Sequence, residues 1–259
     1  MCVLVVALRE HADYDLVVAA NRDEFHGRPT ANVAPWADRP RILAGRDLEA
    51  GGTWLGVDSD GRFGAVTNLR SAHPGAGARS RGELVSNFLD QPMIGPEHYA
   101  RRLSPLDYAG VNLMLVDASN AISWSNRDNR VRPLETGVYG LSNGALDDEW
   151  PKLQRLKSAY RDAATTTGEA LVTRLLAILR DDQVPPDEHL PDTGVGLERE
   201  RLLAPIFIDG GGYGTRCSTI VLRKPDGETL FVERRYDART QCTGEDRYRV
   251  GPAGIERLR

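Results

Sequence analysis

The order of elements along the chain is strands, then helices, then strands again. It predicts an α+β fold with helices packed on antiparallel sheets. Three observations carry this expectation. Residues 2–8, CVLVVAL, are apolar on both faces of an extended strand, as in a strand covered from two sides. The region from about residue 147 to 181 holds two consecutive stretches of helical periodicity. No βαβ alternation and no internal repeat is visible, so a parallel sheet is not expected.

Each element follows from local pattern. In the first strand Leu4, Val6 and Leu8 point one way and Val3, Val5 and Ala7 the other. After the turn EHADYD, LVVAANRDEF reads as a second strand, completing a hairpin. Residues 26 to 50 contain Pro29, Pro35 and Pro40 and read as irregular. TWLGV and RFGAVTN flank the turn DSDG as a further hairpin. HPGAGARSRG is a loop by composition, and GELVSNFLD and PEHYARRL have helical spacing. VNLMLVD, AISWSN and VYGLSNG read as strands. DDEWPKLQRLKSAYRDAA places Pro151 in a first helical turn and Leu153, Leu156 and Tyr160 on one face. EALVTRLLAILRD repeats that pattern. Residues 181–200 interrupt it with three prolines and seven acidic residues, which predicts a solvated insertion or a lid. TRCSTIVLRK and TLFVERRYD close the chain as two strands around PDGE.

Composition narrows the functional classes. The 259 residues are 41% hydrophobic and 27% charged, with a net charge of -4. One domain spanning residues 1–259 is expected. The acidic balance argues against general nucleic-acid binding. No stretch is long enough to span a bilayer, and VLVVAL is too short for a secretory signal. A cytoplasmic location is expected. Cys2, Cys217 and Cys242 are too sparse for a disulfide framework, and neither CxxC nor metal-ligand histidine spacing occurs. GGGYG lacks the GK[ST] of a phosphate loop.

Cys2 is the residue whose position is unusual. Cysteine is commonly a small buried hydrophobe. Removal of Met1, however, would put a free α-amine and a thiol on one residue. The amine has a reference pKa of about 7.7–8.0 and can serve as base for its own side chain. Asn21, Arg22, Asp23 and Glu24 form a polar run directly after apolar LVVAA, either a strand end reaching solvent or part of a site. Strand alternation puts Asn21 and Asp23 on one face and Arg22 and Glu24 on the other, so one pair is expected beside Cys2. A carboxylate there would hold a protonated amine and a guanidinium would stabilise a thiolate. Asn68 and Asn143 each end an apolar strand, where asparagine serves as a turn residue or aims an amide at an oxyanion. Arg216 starts an apolar strand.

MCVLVVAL, LVVAANRDEFHGRPT, ILAGRDLEAGGTWLGV, GRFGAVTNLR, RGELVSNFL, YGLSNG, WPKL and GTRCSTIVL follow in chain order the pattern of the NRDE family, that of transport and Golgi organisation protein 2. That family resembles the N-terminal nucleophile hydrolases, including bile-salt and penicillin V acylases. The resemblance implies a four-layer αββα sandwich and an N-terminal cysteine amidohydrolase or acyltransferase acting on a non-peptide C–N bond. It implies Cys2 as nucleophile, Asp23 as amine anchor, Asn68 and Asn143 at the oxyanion and Arg216 near the thiol. Asn21, Arg22, Glu24, Arg46 and Trp54 would contact substrate or ligand. The acylases separate their early arginine and aspartate by two residues, which puts Ala20 at the arginine's place here. Hydrolysis requires no cofactor. The resemblance also implies an alternative role without turnover, binding or trafficking of haem or an acyl-coenzyme A. Acidic ligand groups would then meet Arg22, Arg46 or Arg216, and Cys2, His26 or His73 would ligate haem.

Overall fold

A computed structural model describes residues 2–73, 75 and 77–258 of the chain. The chain opens with β1 (Cys2–Leu8) and β2 (Leu16–Phe25), then β3 (Thr30–Pro35), β4 (Ile42–Asp47), β5 (Leu55–Asp58) and β6 (Phe63–Asn68). Two helices follow, α1 (Gly82–Leu89) and α2 (Pro96–Arg101), then β7 (Val111–Val116), β8 (Ala121–Ser125), β9 (Arg130–Pro133) and β10 (Gly137–Leu141). The next helices are α3 (Pro151–Ala163), α4 (Gly168–Ile178) and α5 (Leu197–Leu202). The final strands are β11 (Asp209–Gly210), β12 (Tyr213–Arg223), β13 (Thr229–Tyr236), β14 (Cys242–Gly251) and β15 (Gly254–Arg257).

Several of these elements depart from the sequence-based expectation, the short strands β9 and β11 among them. The region after residue 26 is not irregular, because β3 and β4 lie in it. Its prolines occupy tolerant places. Pro29 precedes β3, Pro35 ends that edge strand, and Pro40 lies in the turn. The chain does not close after TLFVERRYD, since β14 and β15 extend the sheet. In β14 only Asp246, Tyr248 and Val250 are buried, and intervening charges mask the alternation. Residues 181–200 are partly structured, with a 3-10 turn at Asp187–His189 and the start of α5.

The strands form two antiparallel sheets. The first runs β10-β1-β2-β12-β13-β14-β15, with β11 beside β12, and the second runs β3 to β9 in chain order. Three apolar interfaces join four layers. Leu4, Val6 and Leu8 meet Val57, Phe63 and Met114 between the sheets. Val3, Val5 and Ala7 meet Leu153, Leu156 and Leu175 of α3 and α4. Leu113 and Leu115 meet Leu84, Val85 and Phe88 of α1 on the outside of the second sheet. The two-faced apolarity of β1 therefore reflects its place between a helix layer and a sheet. Fully burying one such side chain contributes about 1.5–3 kcal/mol, so β1 is anchored firmly from Val3 onward, directly after Cys2.

Candidate active site

The antiparallel register of β1 and β2 puts Cys2 directly opposite Arg22. Directly paired residues share a face, so Cys2 and Arg22 both point between the sheets, in line with Leu4, Val18 and Ala20. They lie where the sandwich opens into a cleft of about 840 Å³. Cys2, Arg22, Asp23, Glu24, Trp54 and Asn68 line it. The Arg22 guanidinium stacks 4.1 Å from the Trp54 ring centroid and donates to Thr30 Oγ1 at 3.3 Å. Trp54 in turn lies so close over Gly45 that a Cβ there would stand 2.3 Å from the ring.

Alternation sends Asn21 the other way. Its amide donates to the carbonyls of Leu179 and Ile206 and accepts from Ser218 Oγ, which ties β2 to the helix layer. Asn21 does not line the cleft, contrary to its assignment as a ligand contact. Asp23 does line it, although it follows Asn21 in the alternation. Thr215 pairs with Asp23 and Cys217 with Arg22, leaving Arg216 as the extra residue of a bulge. Asp23 is 1% exposed, and its Oδ1 accepts from Thr215 Oγ1 at 2.7 Å. Burial pushes the Asp23 carboxyl up, against the charges of Lys152 and Arg70 and the Thr215 hydrogen bond. Burial likewise pushes the Cys2 thiol up, while Arg22 and the backbone N–H of Asp23 draw it down.

The same bulge removes Arg216 from the thiol. Its Nη1 donates to the carbonyls of Phe25 and Arg28, bracing the turn after β2 rather than facing the cleft. Arg46 also falls outside the cleft. It forms a two-pronged pair with Asp38 and stacks on Trp36, 4.2 Å from its centroid. Asn143 is fully buried behind the lining, where its Nδ2 donates to the carbonyl of Asn68 at 2.8 Å. It positions Asn68 instead of facing a substrate. Asn68 itself lines the cleft, and among the described residues its carboxamide has no hydrogen-bond partner. His26 and His73 do not line the cleft, and no cluster of three or more His, Cys, Asp or Glu could hold a metal among the described residues. Ala20 packs in the inter-sheet core opposite Leu4, so the guanidinium beside Cys2 comes from Arg22.

Several residues at the site have no prominent sequence signal. Tyr213 lines the cleft and donates to the carbonyl of Asp23 at 3.0 Å. Arg70, also in the lining, pairs with buried Glu200 at 2.5 Å. Lys152, 2% exposed, donates to the carbonyl of Leu203 at 3.0 Å. Its pKa is lowered to about 8 by burial and by Arg70. Glu200, Leu203 and the cleft-lining Val195 and Arg199 bring the segment read as an insertion or lid against the site. Lys152 lies within WPKL and Thr215 within GTRC, strings that mark position in the chain but not role.

Two stacked antiparallel sheets between helix layers make the αββα fold of the N-terminal nucleophile hydrolase type, and here Cys2 heads an inner strand of the first sheet. The C2A mutant of a conjugated bile acid hydrolase from Clostridium perfringens aligns with all of this chain and 97% of its own at a TM-score of 0.52 and 8% identity. An N-acylethanolamine-hydrolyzing acid amidase ortholog from Caenorhabditis elegans aligns over 86% of this chain and 93% of its own, at a TM-score of 0.49 and 13% identity. The chain belongs to the Transport and Golgi organisation 2 family (TANGO2), which it matches over residues 1–238. It is 35% identical to the Transport and Golgi organization 2 homolog of Mus musculus over 239 residues, 85% of this chain and 86% of that one. Identity to the Homo sapiens homolog is also 35% over 239 residues, with the same coverage. For the Drosophila melanogaster protein it is 28% over 248 residues, again 85% of this chain and 86% of that one. No helix among the described residues is long and apolar enough to cross a membrane.

Proposed function

We propose that the protein is an N-terminal cysteine amidohydrolase or acyltransferase acting on a non-peptide C–N bond of a small molecule. One observation carries this reading: Cys2 lines a cleft directly opposite Arg22 and beside Asp23, at the end of a strand otherwise sealed in the core. Met1 lies outside the described residues, and its removal would free the Cys2 amine. The amine would take the thiol proton as sulfur attacks the carbonyl carbon. The oxyanion would receive a hydrogen bond from the Asn68 carboxamide, held in place through Asn143. As the C–N bond breaks, the amine would return the proton to the leaving nitrogen, giving a thioester that water or an acceptor amine resolves. Asp23 would orient the protonated amine. The bile acid hydrolase of similar fold, solved as a mutant at its second residue, supports attention to this position.

Intact-mass measurement combined with a β-lactone probe tests the reading. A mature chain lacking Met1 and acylated at Cys2 is the expected result. Retained Met1, or acylation confined to Cys217 and Cys242, overturns it. A carrier role for haem or acyl-coenzyme A would use the same cleft. Of its candidate haem ligands only Cys2 lines the cleft, so Cys2 would be the residue to hold the iron. A saturable Soret shift lost in Cys2→Ala would favour that role.

A further inference from the structure

The strand that carries Cys2 is held unevenly at its start. On one side β1 stays paired with β2 as far as Cys2, opposite Arg22. On the other side the pairing with β10 stops at Leu4, opposite Leu141. A side chain takes over there. Ser142, 1% exposed, donates from its Oγ to the carbonyl oxygen of Cys2 at 3.0 Å. The Cys2–Val3 peptide is planar, and Val3 is sealed in the core. Holding the oxygen therefore fixes the plane that carries the Cys2 Cα, from which both the amine and the thiol project. Terminal residues are poorly ordered unless tied down in this way.

The next two residues bond to the other sheet. Asn143 donates from Nδ2 to the carbonyl of Asn68 at 2.8 Å, and its own carbonyl accepts from the Arg70 backbone N–H at 2.8 Å. The Gly144 carbonyl accepts from Asn112 Nδ2 of β7 at 2.8 Å, and the same amide reaches Thr67 Oγ1 of β6 at 3.1 Å. Gly144 has no room for a side chain, since a Cβ there would stand 1.8 Å from Asp148 Oδ2 and 2.9 Å from the Trp150 ring. Three consecutive residues thus link the first residue of β1 to the end of β6, where Asn68 lies.

We propose that Ser142 is a positioning residue for Cys2, and that Ser142–Gly144 sets the spacing between the attacking sulfur on the first sheet and the Asn68 carboxamide on the second. This rests on the amidohydrolase reading and deepens it. Sulfur and oxyanion donor come from different sheets, and the apolar contact between those sheets is non-directional. Attack demands closer control, because a misplacement of about 1 Å costs on the order of 100-fold in rate. Hydrogen bonds are directional, and one short segment bonds to both parties.

The test uses the full-length protein and its Ser142→Ala, Ser142→Thr and Asn112→Ala variants. Isotope labelling of the cysteine carbonyl carbon and the valine nitrogen gives a single NMR cross-peak, because Cys2–Val3 is the only Cys-Val step in the sequence. That peak is expected to move in Ser142→Ala and to stay near its place in Ser142→Thr and Asn112→Ala. The maximal rate of acylation by the β-lactone probe is expected to fall about tenfold in Ser142→Ala and several-fold in Asn112→Ala. The half-saturating probe concentration is expected to stay unchanged, and Ser142→Thr to react near the wild-type rate. Alkylation of Cys2 by iodoacetamide needs the sulfur but no oxyanion donor, and is expected to change less than about twofold. A peak unmoved by Ser142→Ala, acylation of that variant at the wild-type rate, or alkylation falling in step with acylation overturns the inference. A wild type that takes no acyl group at Cys2 overturns the amidohydrolase reading and the spacing role with it, and the cross-peak alone then decides the hold on Cys2. Ser142→Ala removes a single hydroxyl and is expected to keep the wild-type urea midpoint, so it decides the matter if Asn112→Ala folds poorly.

Discussion

The two ends of the sandwich each place an arginine near the inter-sheet space, and the two are held very differently. At the closed end Arg223 donates two hydrogen bonds to Asp15 and others to the carbonyls of Gly61 and Asp117. At the open end Arg22 has a ring contact with Trp54 and one 3.3 Å hydrogen bond to Thr30. Both are about equally buried, at 4% and 5% exposure. Burying a charge is costly unless it is fully bonded. Arg223 meets that condition within the protein. Arg22 meets it only in part, and its remaining capacity faces Cys2 and the cleft. Burial alone therefore does not separate a structural arginine from a site arginine. The count of satisfied donors does.

Substitutions at the two ends should break the molecule in different ways. The largest effect is expected from Cys2→Ala, which should remove β-lactone acylation by a factor of at least about 10³ while leaving the denaturation midpoint unchanged. Arg223→Met should do the reverse. It should cost about 3 kcal/mol in urea unfolding, because Asp15 and two carbonyls lose their donor, with the Cys2 acylation rate of the folded protein retained. Asp23→Asn should slow acylation about 100-fold through loss of the amine anchor, measured as a rate against pH. Gly45→Ala should force the Trp54 ring off Arg22, lowering acylation several-fold and shifting tryptophan fluorescence.

A last test sharpens the contrast through pH. The Lys152 ammonium titrates at about 8 in the fold and near its ordinary value in the unfolded chain. Between those values the unfolded state binds more protons, so stability rises as pH rises from about 8 toward 10.5. The penalty is fully present below about pH 8. The slope contributed is at most about 1.4 kcal/mol per pH unit. The change in urea midpoint from pH 7.5 to 9.5 should be more positive in the wild type than in Lys152→Met, which lacks that increment.

Much of the architecture was legible in sequence because β1, β2, β6, β7 and β12 are buried strands with continuous apolar runs. The edge elements were less legible. β3 carries proline and β14 is dense with charge, so neither shows a clean period. The site divided along a similar line. Cys2, Arg22, Asp23, Glu24, Trp54 and Asn68 line the cleft, Asp23 together with Arg22 although alternation allowed only one of their faces. Asn21, Arg46, Asn143 and Arg216 do not, because a side chain's direction and its competing partners depend on neighbours distant in sequence. Arg216 is the clearest case, since one extra residue in β12 turns it from the strand face to the turn carbonyls.

The sequence by itself determined the coarse order of strands, then helices, then strands, the two-sided burial of β1, the polar end of β2 and the location of a cysteine at residue 2. These are local properties, read from period and composition. Only the tertiary structure decided that Cys2 and Arg22 share a row, that Asp23 lines the cleft and bonds Thr215, and that Arg81 and Arg199 are left without carboxylate partners among the described residues. The physical reason is that strand register and ion pairing are settled between segments 20 to 200 residues apart, where no local pattern encodes which donor meets which acceptor.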